Sequence, residues 1–256
     1  ARSWFASLLD RFHQRGLKTP KQQKNYVVDV RNAIRTRLGQ THPALAVIGF
    51  DEATWTEINA ATHDRVEARH LDTQFISNPD LIVARAEALL SNPKATLAEL
   101  AVGLGVVIGR RISKLFATRS TLAPKSLYSV LFSGQLKHKG ASFTFEIPPL
   151  CPAALVLDAW QRLHLMIGPE PLAPRDSKMA YYGQICKEVA NEQFGDLVPP
   201  RSGNDDLYMH LFRAIYATIA VLYYCPHRVN ATLFKAEIQG HRMILDTNNP
   251  ELRRSY

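Results

Sequence analysis

Apolar positions recur at helical spacing along most of the chain. Over residues 4–14, Trp4, Phe5, Leu8, Leu9 and Phe12 share one face of an amphipathic helix. Pro20 suits the first turn of a second helix reaching about Leu38. Its apolar face is thin, a stripe of Tyr26, Val27, Val30, Ile34 and Leu38. Residues 51–61 and 62–74 read as two further helices, and Pro79 punctuates the stretch that follows. A helix over 81–90 ends at Asn92-Pro93. Thr96-Leu97-Ala98-Glu99 is then a capping box, with Thr and Glu three residues apart to satisfy each other's backbone donors. It opens a strongly apolar helix to about Ile108, stopped by Gly109. A short helix follows over 110–116.

The period then changes. Residues 126–136, with Leu127, Tyr128, Val130, Leu131 and Phe132, have strand character. Residues 137–140 form a turn, and 141–147 a return strand with alternating phenylalanines, ended by Pro148 and Pro149. Beyond them, helices are predicted over 152–166, 177–194, 206–224 and 229–239, with a loop over 199–204. The chain therefore reads as mainly α with a small β-hairpin. It carries no internal repeat and no low-complexity tract. Its longest apolar runs, 101–109 and 214–225, fall short of the ~18–20 residues a membrane span needs. Residues 1–15 lack the continuous apolar core of a signal peptide.

Composition adds little to this but excludes several classes. A length of 256 residues, 46% hydrophobic and 21% charged, fits one large or two modest globular domains. A disordered, collagenous or coiled-coil chain is excluded. Cys151, Cys186 and Cys225 form no Cys-x-x-Cys pair, which argues against a zinc cluster. Their odd number points to reduced thiols and an intracellular, cytoplasmic protein.

Charge is informative through its distribution. Residues 1–42 hold nine bases and two acids, a net of +7, and residues 43–108 hold four bases and nine acids, a net of −5. Residues 109–162 hold eight bases and two acids, a net of +6, while the remainder balances at ten each. Two basic blocks around an acidic one can grip a single polyanion, of which nucleic acid is the leading candidate. Lys21, Lys24, Arg31 and Arg35 decorate the second helix and are candidate phosphate contacts, if that surface is not simply solvated.

Three short motifs carry chemistry. Gly109-Arg110-Arg111 puts two guanidinium groups at a helix start, where the helix dipole disfavours cations, unless an anion arrives to bind them. His210 and Arg213, three residues apart, share one helical face, where they can hold a phosphate and move a proton. Gly240-His241 follows a predicted helix end, and Tyr256 closes the chain. There is no phosphate-loop glycine motif and no acidic metal cluster, so neither ATP, a metal nor any other cofactor is expected.

Taken in order, these residues resemble the site of the tyrosine recombinase superfamily: an Arg, a hairpin Lys, a His/Lys-x-x-Arg box, a His or Trp, and a nucleophilic Tyr. Phe132-Ser133-Gly134-Gln135-Leu136-Lys137 after the Gly-Arg-Arg box is similar to the telomere resolvases (protelomerases) in particular. The resemblance covers residues 95–256. It implies a tyrosine-recombinase-like catalytic domain at 86–256, preceded by a helical DNA-binding (core-binding) region at 1–85. It implies catalytic roles for Arg111, Lys137, His210, Arg213, His241 and Tyr256. Arg110 would be a helper or phosphate contact. Lys139 competes with Lys137, and His227 with His241. The interval from His241 to Tyr256 exceeds the superfamily's usual spacing and implies an insertion.

The activity so implied is cleavage and rejoining of DNA through a 3′-phosphotyrosine, by a homodimer on a palindromic telomere of a linear replicon, to give closed hairpin ends. No membrane or small-molecule partner is implied. Two alternatives remain open on the sequence: an integrase-type recombinase exchanging strands in a tetramer, and a noncatalytic DNA-binding protein of plasmid maintenance.

Overall fold

A computed structural model describes residues 1–71, 74–117, 119–134, 144–169, 177–201, 203 and 205–240, with the side chains of 61, 62, 65–71 and 177 excepted. The chain divides into two compact units, Ala1–Leu71 and Asp72–Tyr256.

In the first unit, α1 (Arg2–Gln14), α2 (Pro20–Leu38), a 3₁₀ turn (Pro43–Ala46) and α3 (Glu52–Leu71) follow one another. Thr19 and Gln22 form a capping box at the start of α2, with Pro20 at its first position. Phe5, Phe12, Val27 and Ile48 make a small core. Where the sequence predicts two helices over 51–74, α3 is continuous. No Gly or Pro lies between Glu52 and Leu71 to interrupt it.

The second unit contains α4 (Pro79–Ser91), α5 (Leu97–Ile108), the single turn α6 (Ile112–Leu115), strands β1 (Thr121–Ser126), β2 (Ser129–Ser133) and β3 (Phe145–Ile147), then α7 (Ala153–Ile167), α8 (Ser177–Phe194), α9 (Met209–Tyr224) and α10 (Ala231–Ile238). The Thr96–Glu99 capping box is formed on both sides, and Gly109 ends α5 in the left-handed conformation at φ 60°. Helix α5 is apolar all round because it is packed all round: α4, α7, α8 and α9 lie against it. Every residue of α5 from Ala98 to Ile108 except Glu99 is buried.

The three strands form one antiparallel sheet in the order β1-β2-β3, with Phe132 opposite Phe145 and Val130 opposite Ile147. The fold is therefore mainly α with a small antiparallel sheet. Strand β1 escapes the sequence reading, which starts the strand at Ser126. It is an edge strand, exposed along nearly its whole length and interrupted at Pro124 by a register shift, so it shows no apolar alternation. Leu127 and Tyr128 are the turn between β1 and β2, and both are exposed.

The expected domain boundary at residue 85 cuts through α4. That helix packs on α5 and α7, and the two compact units divide after Leu71. Among the described residues no helix is long and apolar enough to cross a membrane.

Candidate active site

Two helix ends meet at the arginines. The last turn of an α-helix leaves carbonyls without intrahelical partners, and these carry the negative end of the helix dipole. Arg110, directly after the end of α5, folds back so that Nε donates to the Ile108 carbonyl (3.0 Å). Its Nη2 donates to the Ile238 carbonyl (2.9 Å) at the end of α10. Arg213, from the first turn of α9, donates to the Gly109 carbonyl from Nη1 (2.9 Å) and to the Gln239 carbonyl from Nη2 (2.9 Å). The Gln239 side chain returns a bond to the Arg213 carbonyl (3.2 Å). Both guanidinium groups are buried, Arg110 at 2% and Arg213 at 4% exposure. The helix-end carbonyls offset much of what their desolvation costs.

Gly109 makes this geometry possible twice over. Its positive φ is one that L side chains rarely adopt, and a Cβ there would lie 2.2 Å from the ring of Tyr216. Tyr216, one turn beyond Arg213 on α9, is fully buried and donates to the Pro148 carbonyl (2.9 Å). Burial pushes its phenol pKa up. It is a core tyrosine and not a nucleophile.

The cations act on one another. Burial is the main cause that lowers the Arg110 pKa well below the usual arginine value, and Arg213 and then Arg111 add to it. Lys114, on α6, is 8% exposed. Burial first, then Arg111 and Arg110, bring its pKa down to about 8. A phosphate placed among these four groups would relieve their mutual repulsion.

The expected residues are distributed as follows. Arg111 stands at the N-cap of α6 and is half-buried, and its half-exposure leaves it reachable from solvent. Arg213 holds the Gly109 carbonyl, two residues before Arg111, and the Gln239 carbonyl, next to Gly240. His210 sits in the first turn of α9 and is exposed, in contrast to Arg213 three residues later. Arg110, expected as a helper or phosphate contact, braces the ends of α5 and α10, and its guanidinium lies over the rings of Phe132 and Phe145 at 5.5 and 5.1 Å. Lys137, Lys139, His241 and Tyr256 lie outside the described residues. His227, the rival of His241, is exposed in the turn between α9 and α10.

Lys114 is the residue that sequence reasoning missed. Its signal was a single cation in the otherwise apolar end of Ile112-Ser113-Lys114-Leu115-Phe116, three residues after Arg111. Its Nζ donates to the Gly134 carbonyl (2.8 Å).

In the first unit the expected phosphate contacts divide. Arg31 donates to the Leu45 carbonyl (2.7 Å) and to that of Ile48, so it holds the 3₁₀ segment against α2. Lys24 bonds Asn59 and lies 5.9 Å from the Trp55 ring centroid. Arg35 bonds Asn32 on its own helix (3.0 Å), and Lys21 is exposed. Among the described residues no group of three or more His, Cys, Asp or Glu side chains is placed to hold a metal ion.

The family model of the telomere resolvase ResT/TelK catalytic domain matches residues 75–250. This chain belongs to the telomere resolvases. The matched span begins just before α4 and takes in every element of the resolvase's second unit. Solved structures agree on the fold. One is a protelomerase TelA variant covalently complexed with substrate DNA, 23% identical, with a TM-score of 0.79 over 100% of this chain and 81% of that one. A second TelA variant, complexed with a DNA hairpin product, gives the same identity and TM-score and is covered to 82%. Protelomerase TelK complexed with substrate DNA is 18% identical, with a TM-score of 0.67 over 100% of this chain and 53% of that one. Among curated proteins no sequence matches.

Proposed function

We propose that this telomere resolvase cuts and reseals DNA through a 3′-phosphotyrosyl intermediate and releases closed hairpin ends. The supporting observation is the junction at Gly109. There α5, α9 and α10 bring Arg111, Arg213 and the residue before His241 to one place, as a site for a single phosphodiester requires.

Each residue then has a role. Arg111 and Arg213 hold the nonbridging oxygens, where charge develops as the phosphorus is attacked in line. The phenol of Tyr256 attacks, and His210 takes its proton. His241 adds a hydrogen bond to the phosphate. The bond from phosphorus to the 5′-oxygen breaks, and Lys137 protonates that oxygen. Each strand end folds back, and its 5′-hydroxyl attacks the phosphotyrosine, which restores the phosphodiester and frees the tyrosine. The phosphoester bond energy is conserved in the intermediate, so this sequence of steps consumes neither ATP nor a metal. The family's relatives are solved with substrate DNA and hairpin product, and a two-fold palindromic site calls for a homodimer. The reaction places the resolvase with intracellular DNA of a linear replicon.

The test is incubation with duplex carrying a palindromic replicated telomere, read on a denaturing gel. Wild-type protein gives hairpins that migrate as covalently closed strands. Tyr256→Phe binds the same DNA but gives neither adduct nor hairpin. Hairpin formation by that variant, or an adduct mapped to another residue, removes Tyr256 from the site. Junctions between two duplexes, in place of hairpins, would mark an integrase-type reaction.

A further inference from the structure

Gln239 caps the end of α10 and is 1% exposed. It grips Arg213 by both side chain and backbone. The Gln239 carbonyl accepts from Arg213 Nη2 (2.9 Å), and Gln239 Nε2 donates to the Arg213 carbonyl (3.2 Å). The same Gln239 carbonyl accepts from Arg110 Nη1 (3.4 Å). Gln239 therefore stands against both buried guanidinium groups, directly before Gly240 with its φ of +72°. Its Oε1 is buried and has no hydrogen-bond partner among the described residues.

Stability alone gives little reason for a glutamine here. A buried acceptor without a donor carries its desolvation cost with no return. Methionine would fill a similar volume and leave no polar atom to satisfy. Glutamate would set a carboxylate beside two buried cations, and hydrogen bonds between such ions are about twice as strong as neutral ones. Among the described residues Arg110 donates only to backbone carbonyls. Burial is the first cause that depresses its pKa, and the side chains acting on it after that are Arg213, Tyr216 and Arg111, with no carboxylate among them. What the amide keeps, and neither replacement keeps, is a grip on Arg213 that leaves the positive charge uncancelled.

We propose that Gln239 is a positioning residue for strand cleavage: as an uncharged clamp on Arg213 it fixes that guanidinium and leaves its charge for the nonbridging oxygens of the phosphodiester. The inference rests on the reading of Arg213 as a phosphate ligand. Charge that develops on those oxygens is stabilised by groups already in place and not yet neutralised by the protein.

The experiment compares two substrates, ordinary telomere DNA and DNA with a methylphosphonate at the cut. A methyl group there replaces one nonbridging oxygen, so the linkage is neutral and its transition state needs less positive charge around it. Cleavage is read in a single turnover at saturating protein, with thermal melting alongside, and each rate is compared with wild type on the same substrate. Gln239→Glu is expected to melt no lower than wild type, to cut ordinary DNA about 10²-fold more slowly, and to recover to within about tenfold of wild type on the methylphosphonate. Gln239→Met, which keeps the volume and drops the amide, is expected to fold, to cut ordinary DNA about tenfold more slowly, and to recover likewise. A purely structural role predicts that both variants melt lower and are equally slow on the two substrates. Either of those results for Gln239→Glu, or a rate equal to wild type on ordinary DNA, overturns the inference while leaving Arg213 on the phosphate. Arg213→Ala tests the reading beneath it and is expected to recover in part on the methylphosphonate. Absence of that recovery overturns Arg213 as a phosphate ligand, and this inference with it.

Discussion

Arg213 Nη1 donates to the carbonyl of Gly109 across 2.9 Å, so the arginine of the His-x-x-Arg box holds the glycine that launches the Gly-Arg-Arg box, 104 residues earlier in the chain. The second donor of Arg213 holds Gln239, one residue before Gly240. One side chain therefore sets the relative position of three segments that the proposed chemistry needs together.

The two arginines assigned to the phosphate should consequently fail in different ways. Arg213→Ala leaves the Gly109 and Gln239 carbonyls without these donors. The Gln239 carbonyl keeps the Arg110 Nη1 donor at 3.4 Å, so the expected loss of stability is about 1–3 kcal/mol for the Gly109 carbonyl, with cleavage lowered by about 10³-fold. Arg111→Ala removes a cation from the N-cap of a one-turn helix, where the dipole disfavours it. It should lose cleavage to a similar degree with a smaller loss of stability, since Arg111 is half-buried where Arg213 is 4% exposed. Urea denaturation beside a cleavage assay separates the cases. Equal destabilisation by both substitutions would contradict these assignments.

Gly109→Ala should be among the most damaging single-methyl additions in the second unit. The residue must adopt φ 60°, which costs an L side chain roughly 1–2 kcal/mol, and its Cβ would enter the Tyr216 ring. The combination with Tyr216→Ala relieves the clash but not the backbone strain, so the two substitutions should be less than additive. Additive losses in denaturation midpoints would show that the ring and the glycine do not constrain one another.

The helices and caps of each unit were legible because each is written locally. Thr96 and Glu99 are three residues apart, Gly109 follows the last apolar residue of α5, and Pro20 opens α2. Gly-Arg-Arg, the hairpin motif and His-x-x-Arg gave the family through their order. What stayed hidden depends on partners distant in sequence. That Arg110 is a brace and Arg111 the reachable member of the pair follows from where the end of α10 lies, 128 residues away. Lys114 carries no motif, and its bond to the Gly134 carbonyl joins residues 20 apart in the chain. Arg31 looked like its neighbours on a basic helix, yet it faces the 3₁₀ segment and is used up there.

That last point alters the salt dependence expected of DNA binding. With +7 over residues 1–42, affinity should fall steeply as salt rises. The share of α2 in this effect should come from Lys21 and Arg35 and not from Arg31. Lys21→Gln with Arg35→Gln is expected to reduce the log–log salt slope by about 1–2 without lowering the melting temperature. Arg31→Gln, which removes the bonds to Leu45 and Ile48, should lower stability and leave the slope nearly unchanged. The opposite assignment of slope and stability would mean that α2 presents a different face to DNA.

Lys114 should leave a signature in the pH dependence of stability. Its pKa is depressed from 10.5 to about 8, by burial first and then by Arg111 and Arg110. Below pH 8 the amine is protonated in both folded and unfolded chains, so its burial penalty is constant. Between about pH 8 and 10.5 the unfolded chain holds a proton that the folded chain has lost, and stability rises with pH. Above that range the contribution is constant again, at its most favourable. Lys114→Met removes the titrating group. The difference in unfolding free energy, wild type minus Lys114→Met, should therefore be flat below pH 8 and rise by on the order of 1–3 kcal/mol by pH 10.5. Other lysines and tyrosines titrate in both proteins and cancel in the difference. Urea denaturation at intervals from pH 7 to 10.5 measures it. A difference that stays flat would show that the ammonium is solvated in the folded protein, and that its bond to Gly134 does not hold it out of water.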